Sequence, residues 1–240
     1  MGKRMIQLLD GTVNLTVLVL FLMMAGYGCY AIWDSNQIYS EASNAQYETY
    51  KPGGEDPDSF EELQKINPEV IAWLSIDGTN IDYPVTQADD NQKYVNTNAK
   101  GEFALSGSLF LDYRNSADFL DFCNIIYGHH MEKKAMFGEL ENFKEEVFFK
   151  EHRTGSLYAG RQEMELEIAA ILRDDAYNKV LYNPMLEEET KKQEFLDYIE
   201  LHAMHRNDVS LTENDRILLL STCTPEGTNG RFILVAKIKE

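Results

Sequence analysis

The chain holds three cysteines, Cys29, Cys123 and Cys223, an odd and widely spaced set that excludes a disulfide framework and a zinc knuckle. Chemistry at cysteine therefore falls to a single thiol. Cys29 lies in a long apolar run, and Cys123 in the apolar stretch 122–126, where a cysteine behaves as a small core hydrophobe. Cys223 differs. It follows an apolar strand pattern over 216–222 and precedes a turn-forming segment, Pro225-Glu226-Gly227-Thr228-Asn229-Gly230. A side chain there can project from a strand end into a cleft, although a strand-end cysteine taken alone reads first as a small buried hydrophobe. His129 and His130 follow a strand end at Tyr127-Gly128, and Gly128 permits the tight turn that hands a side chain to a cleft. Arg231 opens the last strand, eight residues after Cys223. Two strands joined by a short loop bring their facing ends side by side.

Singly, a loop histidine pair and a strand-end arginine are ordinary polar features. As a set they are chemically coherent. The thiolate is the active form of a thiol nucleophile, and nearby positive charge favours it. An imidazolium donates a proton to a departing amine. A guanidinium keeps its proton at ordinary pH, so its part is to hold substrate or stabilise an oxyanion. Cys, His and Arg together imply acyl transfer through a thioester, unlike the Cys-His-Asn arrangement of papain-type proteases.

Mostly strands must carry these groups. Residues 73–76 and 81–85 flank Asp77-Gly78-Thr79-Asn80, a hairpin signal. Residues 108–111 and 124–127 read as short buried strands. Over 163–172, Met164, Leu166, Ile168, Ala170 and Leu172 alternate with Glu163, Glu165 and Glu167, which predicts a half-buried strand with those five apolar residues on one face. Residues 184–205 read as a helix with Leu186, Phe195, Ile199 and His202 facing inward, its first turn charged by Glu187-Glu188-Glu189. Strands over 216–222 and 232–239 close the chain. Many short strands with one inserted helix predict a mainly β fold, a barrel with helical additions. His202 and His205, with Glu200 or Asp197, have metal-ligand spacing but lack a third strong ligand, so they read as a solvated face. The sequence carries no cofactor motif and no phosphate-cradling glycine loop, so neither metal nor cofactor is expected.

Composition bounds the rest. The 240 residues are 44% hydrophobic and 11% aromatic, enough for a core. Lys plus Arg total 22 against 40 for Asp plus Glu, a net charge of -18 that repels phosphate backbones and excludes nucleic acid as partner. Residues 13–33 carry no charge, and at about 1.5 Å per residue a helix of that length covers a hydrocarbon thickness of roughly 30 Å. Tyr27, Tyr30 and Trp33 form an aromatic edge, and Lys3 and Arg4 precede the span. The reading is a cytoplasmic segment 1–12, an uncleaved transmembrane anchor 13–33 and an extracellular remainder. No small-x-small cleavage site follows the apolar core, and Tyr27 occupies the window that a lipidated Cys29 would need filled by a small residue. Residues 34–58, ending in Lys51-Pro52-Gly53-Gly54, read as a spacer. The domain is placed at 59–240, opening with a short helix from Ser59 that stops near Asn67-Pro68. Export without disulfides suits a Gram-positive surface.

Against this background, Leu219-Leu220-Ser221-Thr222-Cys223, with Arg231 downstream, resembles the Thr-Leu-x-Thr-Cys signature of sortases, in the serine-bearing form of class B. Leu219 departs from the threonine of that signature. Tyr127-Gly128-His129-His130-Met131 followed by Met136-Phe137-Gly138-Glu139-Leu140 resembles the class B histidine segment. Asn67-Pro68-Glu69-Val70-Ile71-Ala72-Trp73-Leu74, Ile81-Asp82-Tyr83-Pro84-Val85 and the run 107–115 also match, so the resemblance covers residues 59–240.

It implies a closed sortase-type barrel with an N-terminal helix and an inserted helix. It also implies a membrane-anchored cysteine transpeptidase that cleaves the C-terminal sorting signal of surface proteins and passes them to a peptidoglycan amine. Cys223 would be the nucleophile, His129 the acid and base, and Arg231 the oxyanion-stabilising cation, helped by the Thr224 backbone N–H. His130 would be structural or assisting. Asn91, Val95, Tyr127, Ser221 and Thr222, with Thr224, would line the signal groove. The alternatives are a class-B-like enzyme that polymerises pilins on a lysine amine, and a catalytically silent surface-displayed binding domain.

Overall fold

The computed structural model describes residues 2–53, 59–225 and 229–239, in two compact units, 1–40 and 41–240. The first unit is helical. Helix α1 (Gly2–Glu41) reaches a mean hydropathy of 2.0 over an 18-residue window, long and apolar enough to cross a membrane.

The second unit begins earlier than composition suggests. Residues 42–53 do not behave as a spacer: Ala42 and Tyr47 are buried in the main core. The Tyr83 hydroxyl donates to the Ala42 carbonyl at 3.0 Å, and the Tyr47 hydroxyl accepts from the Ala99 N–H at 3.3 Å. Lys51 pairs with Asp82 at 2.5 Å. One buried aromatic side chain, Tyr47, does much to dock this polar stretch, because burying one large apolar side chain is worth about 1.5–3 kcal/mol. Of the rest of the expected spacer, residues 34–41 continue helix α1, and 54–58 lie outside the described residues. Helix α2 (Ser59–Ile66) follows, and its Ser59 hydroxyl donates to the Lys51 carbonyl at 2.8 Å, tying the helix start to the docked segment.

Strands β1 (Val70–Ile76) and β2 (Asp82–Thr86) form the hairpin read from the sequence, with Gly78 at φ +74 in its turn. Then come β3 (Leu109–Leu111), β4 (Cys123–Tyr127), the short helix α3 (Glu146–Glu151), β5 (Thr154–Ala159) and β6 (Gln162–Asp175). Helix α4 (Glu189–His202), β7 (His205–Arg206), β8 (Arg216–Cys223) and β9 (Gly230–Lys239) complete the chain. Among the described residues, eight strands close in the order β1-β2-β3-β4-β8-β9-β6-β5, with β5 returning to β1 and β7 flanking β6. Closure removes free edges. The pairs β2–β3 and β4–β8 are parallel, so β4 and β8 end on the same rim.

Alternation sorts side chains between two cores. Leu218 and Leu220 of β8, Leu234 and Ala236 of β9, and Ile126 of β4 join the barrel interior. Ile217, Leu219, Ile233, Val235, Cys123 and Ile125 face outward and meet Phe195, Leu196 and Ile199 of α4 in a second core. The single-face reading of β6 fails at a bulge between Ile168 and Ala170. Leu166 and Ile168 face the interior, whereas Ala170 and Leu172 are shifted into the second core, because one extra residue reverses the alternation. Phe195 and Ile199 face inward as expected, but His202 is exposed and stacks on the Tyr198 ring at 3.9 Å. His205 donates to the Lys144 carbonyl at 2.7 Å, so the two histidines are engaged separately.

A soluble domain cut at Glu41 should therefore exceed one cut at Ser59 in stability by about 2–4 kcal/mol, from the lost Tyr47 burial and the lost Tyr83 acceptor. Denaturant titration of the two fragments measures the difference; equal midpoints and slopes would show that the 42–53 segment contributes nothing.

Candidate active site

The outward face of the barrel carries the site. On β8, residues 217, 219, 221 and 223 share one face; on β9, 231, 233 and 235 do; on β4, 123, 125 and 127 do. Register then brings their ends together. Cys223 is the direct cross-strand partner of Arg231, and Ser221 that of Tyr127. Helix α4 covers the middle of this face and leaves the rim open, where Cys223 is exposed. The result is a cleft of about 360 Å³, lined by Cys223, Arg231 and His129 together with Asn91, Val95, Tyr127, Ser221 and Thr222, and also by Phe110 and Gly128.

His129 lies beyond the end of β4 and is set by backbone. Its Nε2 lies 2.8 Å from the Val95 carbonyl. A carbonyl only accepts, so Nε2 carries the hydrogen and donates. Gly107, at φ +58, leaves room for the Val95 carbonyl: a Cβ there would come within 2.6 Å of it and 2.4 Å of the Tyr94 carbonyl. Gly128 admits no side chain either, since a Cβ there would lie 2.4 Å from Leu109 and 2.7 Å from Phe137. The Thr222 hydroxyl donates to the Gly128 carbonyl at 2.8 Å, tying the histidine turn to the strand that carries Cys223. His130 lies 3.1 Å from Glu141, which also pairs with Lys144. The Lys144 hydrogen bond, assisted by that of His130, holds the Glu141 carboxyl below its ordinary range despite partial burial.

Thr224 is the expected site residue that the fold puts elsewhere. It does not line the cleft, and its side chain is buried. Its N–H donates to the Gly230 carbonyl at 2.9 Å, because strand pairing runs one residue past Cys223. The same carbonyl accepts from Arg231 Nη1 at 2.9 Å. In this arrangement the Thr224 N–H is spent on pairing.

Sequence reasoning assigned no part to Tyr182. Its hydroxyl lies 2.8 Å from Ser221 Oγ, and its ring stacks on Tyr127 at 6.3 Å. Burial pushes its hydroxyl up to about 12, so it stays protonated. Tyr127 also packs on Phe110, at 5.4 Å. Nothing local in the segment 175–188 announces Tyr182, since its partner is 39 residues away. Cys123 is fully buried, and burial drives its thiol well above the ordinary range, so it is inert as the sequence indicated.

A thiol, an imidazole and a guanidinium lining one cleft at the rim of a closed barrel define a cysteine acyl-transfer enzyme. A sortase-domain model matches residues 74–239. Sortase B of Listeria monocytogenes is 36% identical over 194 residues, 79% of this chain and 78% of that relative. The crystal structure of sortase B from the type II pilus of Streptococcus pneumoniae is 46% identical with a TM-score of 0.66, covering 75% of this chain and 98% of that one. A Streptococcus pyogenes class B sortase involved in pilus biogenesis is 39% identical with a TM-score of 0.69, covering 75% and 97%. The chain belongs to the sortase family, in its class B, and is a cysteine transpeptidase.

Gly107→Ala tests how the histidine is set. The methyl group must displace the Tyr94–Val95 backbone, so the His129 acceptor moves. Displacement by an ångström at a reacting group costs on the order of 10²-fold in rate. Peptide turnover should fall by roughly that factor while alkylation of Cys223 by iodoacetamide remains; unchanged turnover would show that the Val95 contact is dispensable.

Proposed function

We propose that Cys223 is the nucleophile of this transpeptidase, His129 its acid and base, and Arg231 the cation that holds substrate and stabilises the oxyanion. The observation that carries this assignment is the direct opposition of Cys223 and Arg231 on adjacent strands, with His129 in the same cleft. Cys223 Sγ attacks the threonine carbonyl carbon of a C-terminal sorting signal of the Asn-Pro-x-Thr type. Charge collects on the carbonyl oxygen, opposite the guanidinium. The C–N bond breaks, the leaving amine takes a proton from His129, and the thioester remains. An acceptor amine then attacks the thioester carbon. The S–C bond breaks, Sγ leaves as thiolate, and the proton of the amine returns to His129. With Nε2 hydrogen-bonded to Val95, Nδ1 is the ring nitrogen that exchanges the proton.

Asn91, Val95, Tyr127, Ser221 and Thr222 form the signal groove, with Tyr182 behind it. Helix α1 anchors the enzyme through residues 13–33, with Lys3 and Arg4 on the cytoplasmic side and the barrel outside, where both sorting signals and wall precursors occur. The acceptor is a peptidoglycan precursor amine. A second reading, a pilin lysine, draws support from identity: the two pilus-associated sortases stand at 46% and 39%, against 36% for the Listeria Sortase B.

Incubated with labelled signal peptides, the protein should form a thioester and release the C-terminal part, and Cys223→Ala should abolish both. Arg231→Lys, which replaces a planar fork by a point charge, should lower kcat/KM by roughly 10²-fold or more. Cleavage that survives Cys223→Ala would overturn the mechanism, and peptide binding without any turnover would favour the silent binding domain. Offering diaminopimelate or oligoglycine amines alongside a pilin-derived lysine peptide decides the acceptor: faster thioester breakdown by the wall amines supports the first reading, by the pilin lysine the second.

A further inference from the structure

One buried carboxylate controls much of the groove without lining it. Asp112, one residue beyond β3, is fully buried. Arg114 grips it with two parallel bonds, Nε to Oδ1 and Nη2 to Oδ2, both at 2.8 Å, and the Arg114 N–H adds a third to Oδ1 at 3.0 Å. Oδ2 also accepts from Asn91 Nδ2 at 3.0 Å and from the Tyr127 hydroxyl at 2.9 Å. Burial alone would raise the Asp112 pKa, but these donors outweigh it and hold the carboxyl below its ordinary range.

A carboxylate only accepts, and this dictates how each donor sits. The Asn91 amide must turn its NH₂ toward Asp112. Its Oδ1 then accepts from the Tyr113 N–H at 3.0 Å, which holds the amide where it lines the cleft. The Tyr127 hydroxyl spends its hydrogen on Asp112, which fixes the ring between Phe110 and Tyr182. Arg114 Nη2 also reaches the Tyr182 carbonyl at 3.4 Å. A single ion pair thus ties together three segments that are distant in sequence: the loop carrying Asn91, the end of β4, and the segment carrying Tyr182.

We propose that Asp112, gripped by Arg114, is a positioning residue for the sorting-signal groove, setting the Asn91 amide and the Tyr127 ring against which the peptide binds. The proposal rests on the reading of Asn91 and Tyr127 as groove residues. It predicts a defect in peptide binding and not at the sulfur, since Asp112 touches none of Cys223, His129 and Arg231.

The test uses the full chain in detergent micelles and a fluorescent Asn-Pro-x-Thr-type peptide, the best cleaved of a panel. Asp112→Asn keeps the shape but replaces one acceptor by a donor facing Asn91 and Tyr127. KM should rise about tenfold with kcat within about twofold, and the rate of Cys223 alkylation by iodoacetamide should hold. In the Cys223→Ala background, the peptide Kd should rise by the same factor. Tyr127→Phe should raise KM as well, and the double substitution should add little to Asp112→Asn, as for two residues acting through one contact. If Asp112→Asn does not fold, Arg114→Lys should reproduce the KM rise. Unchanged KM and Kd in the folded variant, a fall confined to kcat and alkylation, or effects of the two substitutions that multiply would each overturn the proposal while leaving the enzyme intact. A panel neither cleaved by the unsubstituted protein nor bound by the Cys223→Ala chain would overturn the groove reading and the proposal together.

Discussion

The register of β8 between β4 and β9 is the constraint on which the rest depends. It sets Cys223 opposite Arg231 and Ser221 opposite Tyr127 in one stroke. A slip of one residue would turn Cys223 and Ser221 toward the barrel interior and push Leu218 and Leu220 out of it. The strand is committed on both faces, with Leu218 and Leu220 in the interior and Ile217 and Leu219 beneath α4. At about 1.5–3 kcal/mol per large apolar side chain, four such residues outweigh any preference that the polar site groups hold. Packing, rather than attraction between thiol and guanidinium, fixes the distance at which the two work.

His129 is held by a different kind of force. It sits past the last residue of β4. Backbone pairing there, among the described residues, is an isolated bridge of His130 with Met136, with the His129 carbonyl accepting from the Phe137 N–H at 3.0 Å. Loop backbone sets the side chain: a carbonyl at Val95, a glycine at 107 that lets this carbonyl stand where it does, and a glycine at 128 with no room for a Cβ. The loop leading to Gly107 supplies its own ties, such as the Ser108 N–H to the Tyr94 carbonyl at 3.0 Å and the Ala104 N–H to the Asn96 carbonyl at 3.1 Å. Cys223 and Arg231 thus inherit their placement from the sheet, and His129 inherits its own from loop backbone. Loop backbone deforms more readily than a ladder, so adjustment on substrate binding falls more naturally on the histidine side.

These two regimes also divide what the sequence makes legible. Strands with β-branched and aromatic runs, the Asp77-Gly78 turn, a helix within 184–205 (observed over Glu189–His202) and the placement of Cys223 at a strand end all follow from local pattern, and the resemblance pointed to His129 and Arg231. The misses share a cause. The bulge near Ala169 sits in an apolar run where either face is buried, so alternation carries no mark of the shift. Tyr47 docks a stretch whose composition is polar, through contacts with Ala99 and the barrel core. Thr224 loses its free N–H to a pairing that local sequence does not announce. Asp112 and Tyr182 matter through partners up to tens of residues distant. Each depends on through-space contact, which periodicity does not encode.

The outward location of the site explains why an all-around cover on the barrel would be self-defeating. A closed barrel fills its interior with side chains, so chemistry on a polypeptide substrate must happen on the outside or at a rim. An outside face of Ile, Leu and Val left bare would aggregate. Helix α4 resolves this by covering Ile217, Leu219, Ile233 and Val235 while stopping short of residues 221, 223 and 231. The cleft is the part of that face at which the cover ends. Leu219, where the family signature has threonine, belongs to the covered part: it is fully buried beneath α4, two residues before Ser221. A leucine there strengthens the packing that holds the strand, so the departure from the signature falls on the covered part of the strand and not on the part that lines the cleft.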